Sequence, residues 1–170
     1  MIVVVCGLPG VGKTSVANDI ALFIDHSVVL STDKIRKELI PNPTYKREER
    51  RLIYDILLLM AKYLHSAGIN CILDATFSRE SSRQELKERL FLANTQMYIV
   101  ECTCPEDVVI SRLKERKNDY SDADISIYRK MKRTYEPIKE GESHIVVDTS
   151  QQSSKVIAKE IADKILSRIK

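Results

Sequence analysis

The sequence predicts an α/β protein, a doubly wound sheet of five parallel strands with helices on both faces. Two observations carry that expectation. Short, nearly all-apolar runs rich in Val and Ile recur along the chain, as central strands covered on both sides require. Stretches with apolar residues at helical spacing separate them, and this alternation means right-handed β-α-β crossovers. At 170 residues the chain has the size of one compact domain with a substantial core.

The first strand is read at residues 2–6, a β-branched run. A glycine-rich turn leads into a helix over 13–24, and a second strand at 27–30 leads into a helix over 34–39. Residues 46–66 form the longest helical pattern, with Leu52, Ile53, Ile56, Leu57, Met60, Tyr63 and Leu64 on one broad apolar face. Gly68 supplies its terminator. The remaining elements are strand 70–73, helix 80–93, strand 96–102, helices 106–117 and 122–135, strand 144–147 and helix 153–169. No repeat, low-complexity tract or linker interrupts them. The least regular stretch, 118–122, lies between two helices and reads as the hinge of a small helical lid spanning about 112–135 within a single domain, 1–170.

Composition excludes more than it selects. Hydrophobic content of 44% and charged content of 30% are ordinary for a soluble globular protein. The net charge of +3 is too weak to argue for nucleic acid by itself. Cys6 and Cys71 fall in strands, where cysteine acts as a small hydrophobe. Cys102 and Cys104 have no second Cys or His pair near in sequence to complete a metal site. The longest uninterrupted apolar stretch, 56–61, is far short of a membrane span, and the apolar start is too short for a signal-peptide core. A soluble cytoplasmic protein with no stable protein partner is expected.

The most specific signal is Gly7-Leu8-Pro9-Gly10-Val11-Gly12-Lys13-Thr14, a G-x-x-x-x-G-K-[ST] phosphate loop between a strand and a helix. The glycines let successive N–H groups turn inward on a phosphate, and the new helix adds the positive end of its dipole. Lys13 can neutralise β and γ oxygens, and the Thr14 hydroxyl can ligate Mg²⁺. Gly7 through Thr14, with Ser15 behind them, are therefore the expected contacts for a nucleoside triphosphate.

Ligands of such a sheet bind beyond the carboxyl ends of the strands. After the second strand stands Asp33, which reads either as a helix N-cap or as the base that orients an acceptor hydroxyl. Arg36, one turn on, reads as a clamp for a charged acceptor group or as a solvated cation. The third strand closes on Asp74, the second acidic position of phosphate-loop enzymes, unless that carboxylate is structural. Thr76 and Arg83 follow on the same edge as candidate acceptor contacts, with Arg83 equally readable as a surface arginine. Arg112 and Arg116 share one helix face, suited to closing over a moving phosphoryl group or to a basic helix end. Tyr45 and the basic run 46–51 read mainly as a solvated helix start and are the one lean towards a nucleic-acid acceptor. Asp148, Thr149 and Ser150 lie where a purine base rests in this fold class.

With these residues in place, the chain resembles the small phosphate-loop kinases related to polynucleotide 5′-hydroxyl kinase, seryl-tRNA kinase and adenylylsulfate kinase, and among them the compact group known as predicted kinases. The resemblance runs from Met1 to about Ser150 through the phosphate loop, Ser31-Thr32-Asp33-x-x-Arg36, 72–77 with Arg83, Arg112-x-x-x-Arg116 and the lid residues 121–124. It implies a nucleoside-monophosphate-kinase-like fold that uses ATP and Mg²⁺, with Asp33 catalytic, Arg36 on the acceptor and Arg112 and Arg116 in the lid. It names no acceptor. The reading from the residues favours a polynucleotide 5′-hydroxyl or nucleotide-like alcohol, with an adenylylsulfate-, sugar-acid- or nucleoside-type metabolite as the alternative. A G-protein switch is disfavoured because neither Asn-Lys-x-Asp nor Asp-x-x-Gly occurs. A remodelling ATPase is disfavoured because Ala75, not a glutamate, follows Asp74.

Overall fold

The computed structural model describes residues 1–90, 97–115, 122–138 and 144–168. Five strands, β1 (Ile2–Cys6), β2 (Ser27–Ser31), β3 (Asn70–Asp74), β4 (Met97–Thr103) and β5 (His144–Asp148), form one sheet in the order β2-β3-β1-β4-β5. Every pairing is parallel. The helices are α1 (Lys13–Ile20), α2 (Thr32–Leu39), α3 (Arg47–Ser66), α4 (Glu80–Arg89), α5 (Glu106–Glu115), α6 (Ile125–Thr134) and α7 (Ser154–Ser167). All the expected strands and helices are present in the expected order.

The alternation of β1 assigns its two faces. Val3 and Val5 join the cluster packed under α1 and α7, with Val16, Ile20, Ile161 and Ile165. Ile2, Val4 and Cys6 point the other way, into the cluster with Ile53 and Leu57 of α3 and Leu86 of α4. Burying one such side chain contributes about 1.5–3 kcal/mol, which explains why the central strand has no polar residue. At the sheet edge β5 is different: Val146 is 58% exposed, so its apolar run is not evidence of cover on both faces.

Several boundaries differ from expectation for local reasons. α1 stops at Ile20, where Leu22 N–H and Phe23 N–H donate to carbonyls three residues back and tighten the turn. α6 starts after Asp124, whose carboxylate accepts from Ile127 N–H, rather than at Asp122. β2, β3, β4 and β5 each run one residue further than their apolar runs, ending on Ser31, Asp74, Thr103 and Asp148. Polar residues thus gather at one edge of the sheet. The expected ends of the helices at 80–93, 106–117 and 153–169, and the start of the strand at 96, lie outside the described residues. Among the described residues no helix is long and apolar enough to cross a membrane.

Candidate active site

The phosphate loop is built by close packing. Gly7 has φ +132°, and a Cβ there would lie 2.3 Å from the Cys102 carbonyl oxygen, so only glycine lets the loop leave β1 against β4. Gly12 occupies the N-cap position of α1 with φ +89°, a left-handed turn that aims the helix start back at the loop. Lys13 Nζ donates to the Leu8 carbonyl at 2.9 Å, folding its charge over the cradle. Thr14 Oγ1 donates to Asp74 Oδ2 at 2.7 Å, joining α1 to the end of β3.

Asp74 is only 4% exposed. Burial pushes its carboxyl above the ordinary value, opposed by the Lys13 charge and by hydrogen bonds from Thr14 and Ser31, while the like charge of Asp33 adds to the rise. Ser31 lies opposite Asp74 in the β2–β3 register, which brings the start of α2 to the same place. Asp33 is the second residue of α2 and not its N-cap; that position is Ser31, which makes no side-chain cap bond. The capping alternative for Asp33 is therefore set aside, and its half-exposed carboxylate is free of any duty to the helix backbone.

Arg36, 5% exposed, is no solvated cation. Its Nη1 donates to Asp33 Oδ1 at 2.8 Å, its Nε lies 3.2 Å from Glu49 Oε1 outside hydrogen-bonding geometry, and its guanidinium covers the Tyr45 ring at 4.8 Å. Glu49 is in turn fixed by Thr44 N–H and hydroxyl and by Tyr45 N–H. Thr76 sits at the mouth of the site: its carbonyl accepts from Gly7 N–H at 3.3 Å and its side chain bonds the Tyr54 hydroxyl. Tyr54, on α3, also accepts from Phe77 N–H at 3.3 Å and meets the Phe77 ring edge-on. That contact props Phe77 at φ +41°, unusual for a residue with a side chain. Sequence reading passed over Tyr54 because it interrupts the apolar face of a helix far along the chain.

Two arginines depart from expectation. Arg83 is 7% exposed and spends its guanidinium on backbone carbonyls: Phe77 at 2.8 Å, Glu136 at 3.1 Å and Pro137 at 3.3 Å. It is not a surface arginine: loop carbonyls withdrawn from water need donors, and a buried guanidinium supplies several. Arg112 does flank the phosphate loop, 3.5 Å from where a Gly12 Cβ would stand, but it is docked on Thr149 through both the hydroxyl and the carbonyl. The Thr149 hydroxyl donates to the Val11 carbonyl at 2.6 Å, so the turn after β5 and α5 are tied to the cradle together. Arg116 and the lid residues 116–121 lie outside the described residues. Beyond them, Asp122 pairs with Lys37 at 3.1 Å and accepts from the Tyr45 hydroxyl.

A glycine-rich turn, a lysine, a threonine bonded to a strand-end aspartate and a second carboxylate on the neighbouring strand's end thus meet at one edge of the sheet. The chain belongs to the family described as AAA domain, whose model matches residues 2–138. No curated protein matches it. Its fold is shared by a sugar kinase from Janibacter sp. HTCC2649, at 20% identity over 99% of this chain and 93% of the other, TM-score 0.72. Chaetomium thermophilum Kti12 in complex with ADP-AlF3 is similar at 17% identity over all of both chains, TM-score 0.76. The Mycobacterium tuberculosis APS kinase CysC in complex with AMPPNP and APS is similar at 18% identity over 97% and 96%, TM-score 0.69. The fold is therefore that of the phosphate-loop kinases.

Proposed function

We propose that this protein is an ATP-dependent phosphotransferase acting on an alcohol. The observation that carries the reading is the Thr14–Asp74 bond beneath the phosphate loop, with Asp33 one strand away on the same edge. Gly7 through Ser15 would enclose the phosphates, Lys13 leaving the Leu8 carbonyl for the β and γ oxygens. Asp33 would take the proton of the acceptor hydroxyl as its oxygen attacks the γ-phosphorus. The bond from that phosphorus to the β–γ bridging oxygen breaks, its electron pair leaves with ADP, and a phosphate monoester results. Arg112 stands ready to face the transferred group if Thr149 releases it, and Arg116 would join it from the lid.

The residues present fit magnesium. Thr14 Oγ1 and the Asp74 carboxylate are hard oxygen donors held together at 2.7 Å. Among the described residues no group of three or more His, Cys, Asp or Glu could hold a metal. When bound, the ion would neutralise charge on the β and γ oxygens.

The small-metabolite alternative is better supported than a polynucleotide. The basic run that leaned towards nucleic acid is partly engaged: Arg51 pairs with Asp55 and Glu85, and Arg50 Nε donates to the Tyr45 carbonyl. The similarity to a sugar kinase and to an APS kinase points the same way. Asp33→Asn keeps shape and removes the base, so transfer of label from γ-labelled ATP should fall about 10²–10⁴-fold with nucleotide affinity preserved. Near wild-type transfer by this variant would remove Asp33 from the mechanism.

A further inference from the structure

The turn after β5 reaches the phosphate loop through one side chain. Thr149 is 7% exposed, and its hydroxyl has a single proton to give. Two carbonyls compete for it. The Val11 carbonyl lies at 2.6 Å and the Thr103 carbonyl at 3.4 Å, and the second already accepts from Thr149 N–H at 3.0 Å. The proton therefore goes to Val11. A lone pair of the same hydroxyl accepts from Arg112 Nη1 at 2.9 Å, while the Thr149 carbonyl accepts from Nη2 at 2.8 Å. A hydroxyl that accepts from a cation becomes a stronger donor, so the guanidinium reinforces the bond to Val11.

What that bond fixes is a peptide unit. The peptide between Val11 and Gly12 is trans, so its N–H points opposite to its carbonyl. With the Val11 carbonyl drawn to Thr149, the Gly12 N–H is turned away from Thr149. Among the described residues that N–H has no backbone acceptor. Gly12, at φ +89° and without a side chain, gives the peptide little resistance to rotation. The Thr149 bond is the restraint. An amide already aimed costs a bound phosphate no reorganisation.

We propose that Thr149 is a positioning residue of the phosphate loop: its hydroxyl, backed by Arg112, holds the Val11–Gly12 peptide with the Gly12 N–H aimed at a nucleotide phosphate. Thr149 touches no phosphate itself and acts through Val11 and Gly12. Arg112 then serves the loop before any phosphoryl group moves, as the cation that strengthens the Thr149 donor. The proposal rests on the nucleotide-binding part of the phosphotransferase reading above.

The test measures binding by the full chain with magnesium, of ATP by calorimetry and of inorganic tripolyphosphate by competition with a fluorescent ATP analogue. Thr149→Val keeps the shape and deletes the hydroxyl, so Kd for both ligands should rise about tenfold, the scale of one buried hydrogen bond. Thr149→Ser restores the hydroxyl and should bring both back to within about twofold of wild type. Arg112→Ala should weaken both by a smaller factor, and combining it with Thr149→Val should add little, because the two act on one bond. Unchanged affinity in Thr149→Val overturns the proposal, whatever its Tm. So does a loss confined to ATP, which would place the effect at the base and not at the phosphates. A serine variant as weak as the valine one, or losses that add in the double variant, overturns it too. Should Thr149→Val not fold, Thr149→Ala carries the same expectations; failure of both to fold overturns the proposal by making Thr149 a residue of the fold alone. All these outcomes leave the phosphotransferase reading standing, whereas a wild-type chain without magnesium-dependent ATP binding removes both.

Discussion

Asp74 closes an apolar strand, is almost wholly withdrawn from water, and still accepts bonds from Thr14 and Ser31. Its carboxyl is held above the ordinary 3.8 by burial, so ionising it costs the folded state more than the unfolded chain. The sign follows: its contribution to stability is complete below 3.8 and is lost as pH rises through the higher folded value. Asp74→Asn, which keeps an oxygen for the Thr14 hydroxyl, should therefore raise Tm at neutral pH and lose that advantage in acid. The same variant should weaken magnesium-dependent ATP binding, measurable by titration calorimetry. A lower Tm at neutral pH would show that the carboxylate is favourably paired after all. Function at this residue is held against stability, as buried charges at functional sites commonly are.

Between elements, side chains do what hydrogen-bonded ladders cannot. Arg83 on α4 binds the loop after β3 and the segment after α6 through three carbonyls, and Glu80 N–H donates to the Glu136 carboxylate. Arg83→Ala should cost roughly 3 kcal/mol, about 6–12 °C in Tm, because buried carbonyls lose their donors. A thermal scan showing no change would make the staple ornamental. The strands and helices were legible because periodicity reports burial, and burial decides elements. Helix caps were less legible: Asp33 has the residue type of an N-cap but sits two residues past that position, within the first turn, since β2 continues through Ser31 to pair with Asp74. Tyr54 was not legible at all, because its partners Thr76 and Phe77 are distant in sequence and carry no pattern.

For the molecule as a whole, a nucleotide that binds only the folded state must raise its stability. MgATP at a hundred times its dissociation constant should add about 2.7 kcal/mol, roughly 5–10 °C in Tm for a chain of this size. The same nucleotide without magnesium should give a smaller shift, and no shift in either case would remove the phosphate loop's assigned role. Much of this was written in the chain itself. The phosphate loop is a local code, eight consecutive residues whose backbone freedom and charge need no distant partner to be recognised. The alternation of apolar strands and amphipathic helices likewise decided a parallel sheet, because each element declares its own buried face. What tertiary structure alone decided is the employment of the arginines. Arg36, Arg83 and Arg112 look alike in sequence, yet one aims a carboxylate, one ties loop carbonyls and one docks on Thr149. A guanidinium's role is set by which oxygens the fold leaves within its reach, and those oxygens come from elsewhere in the chain.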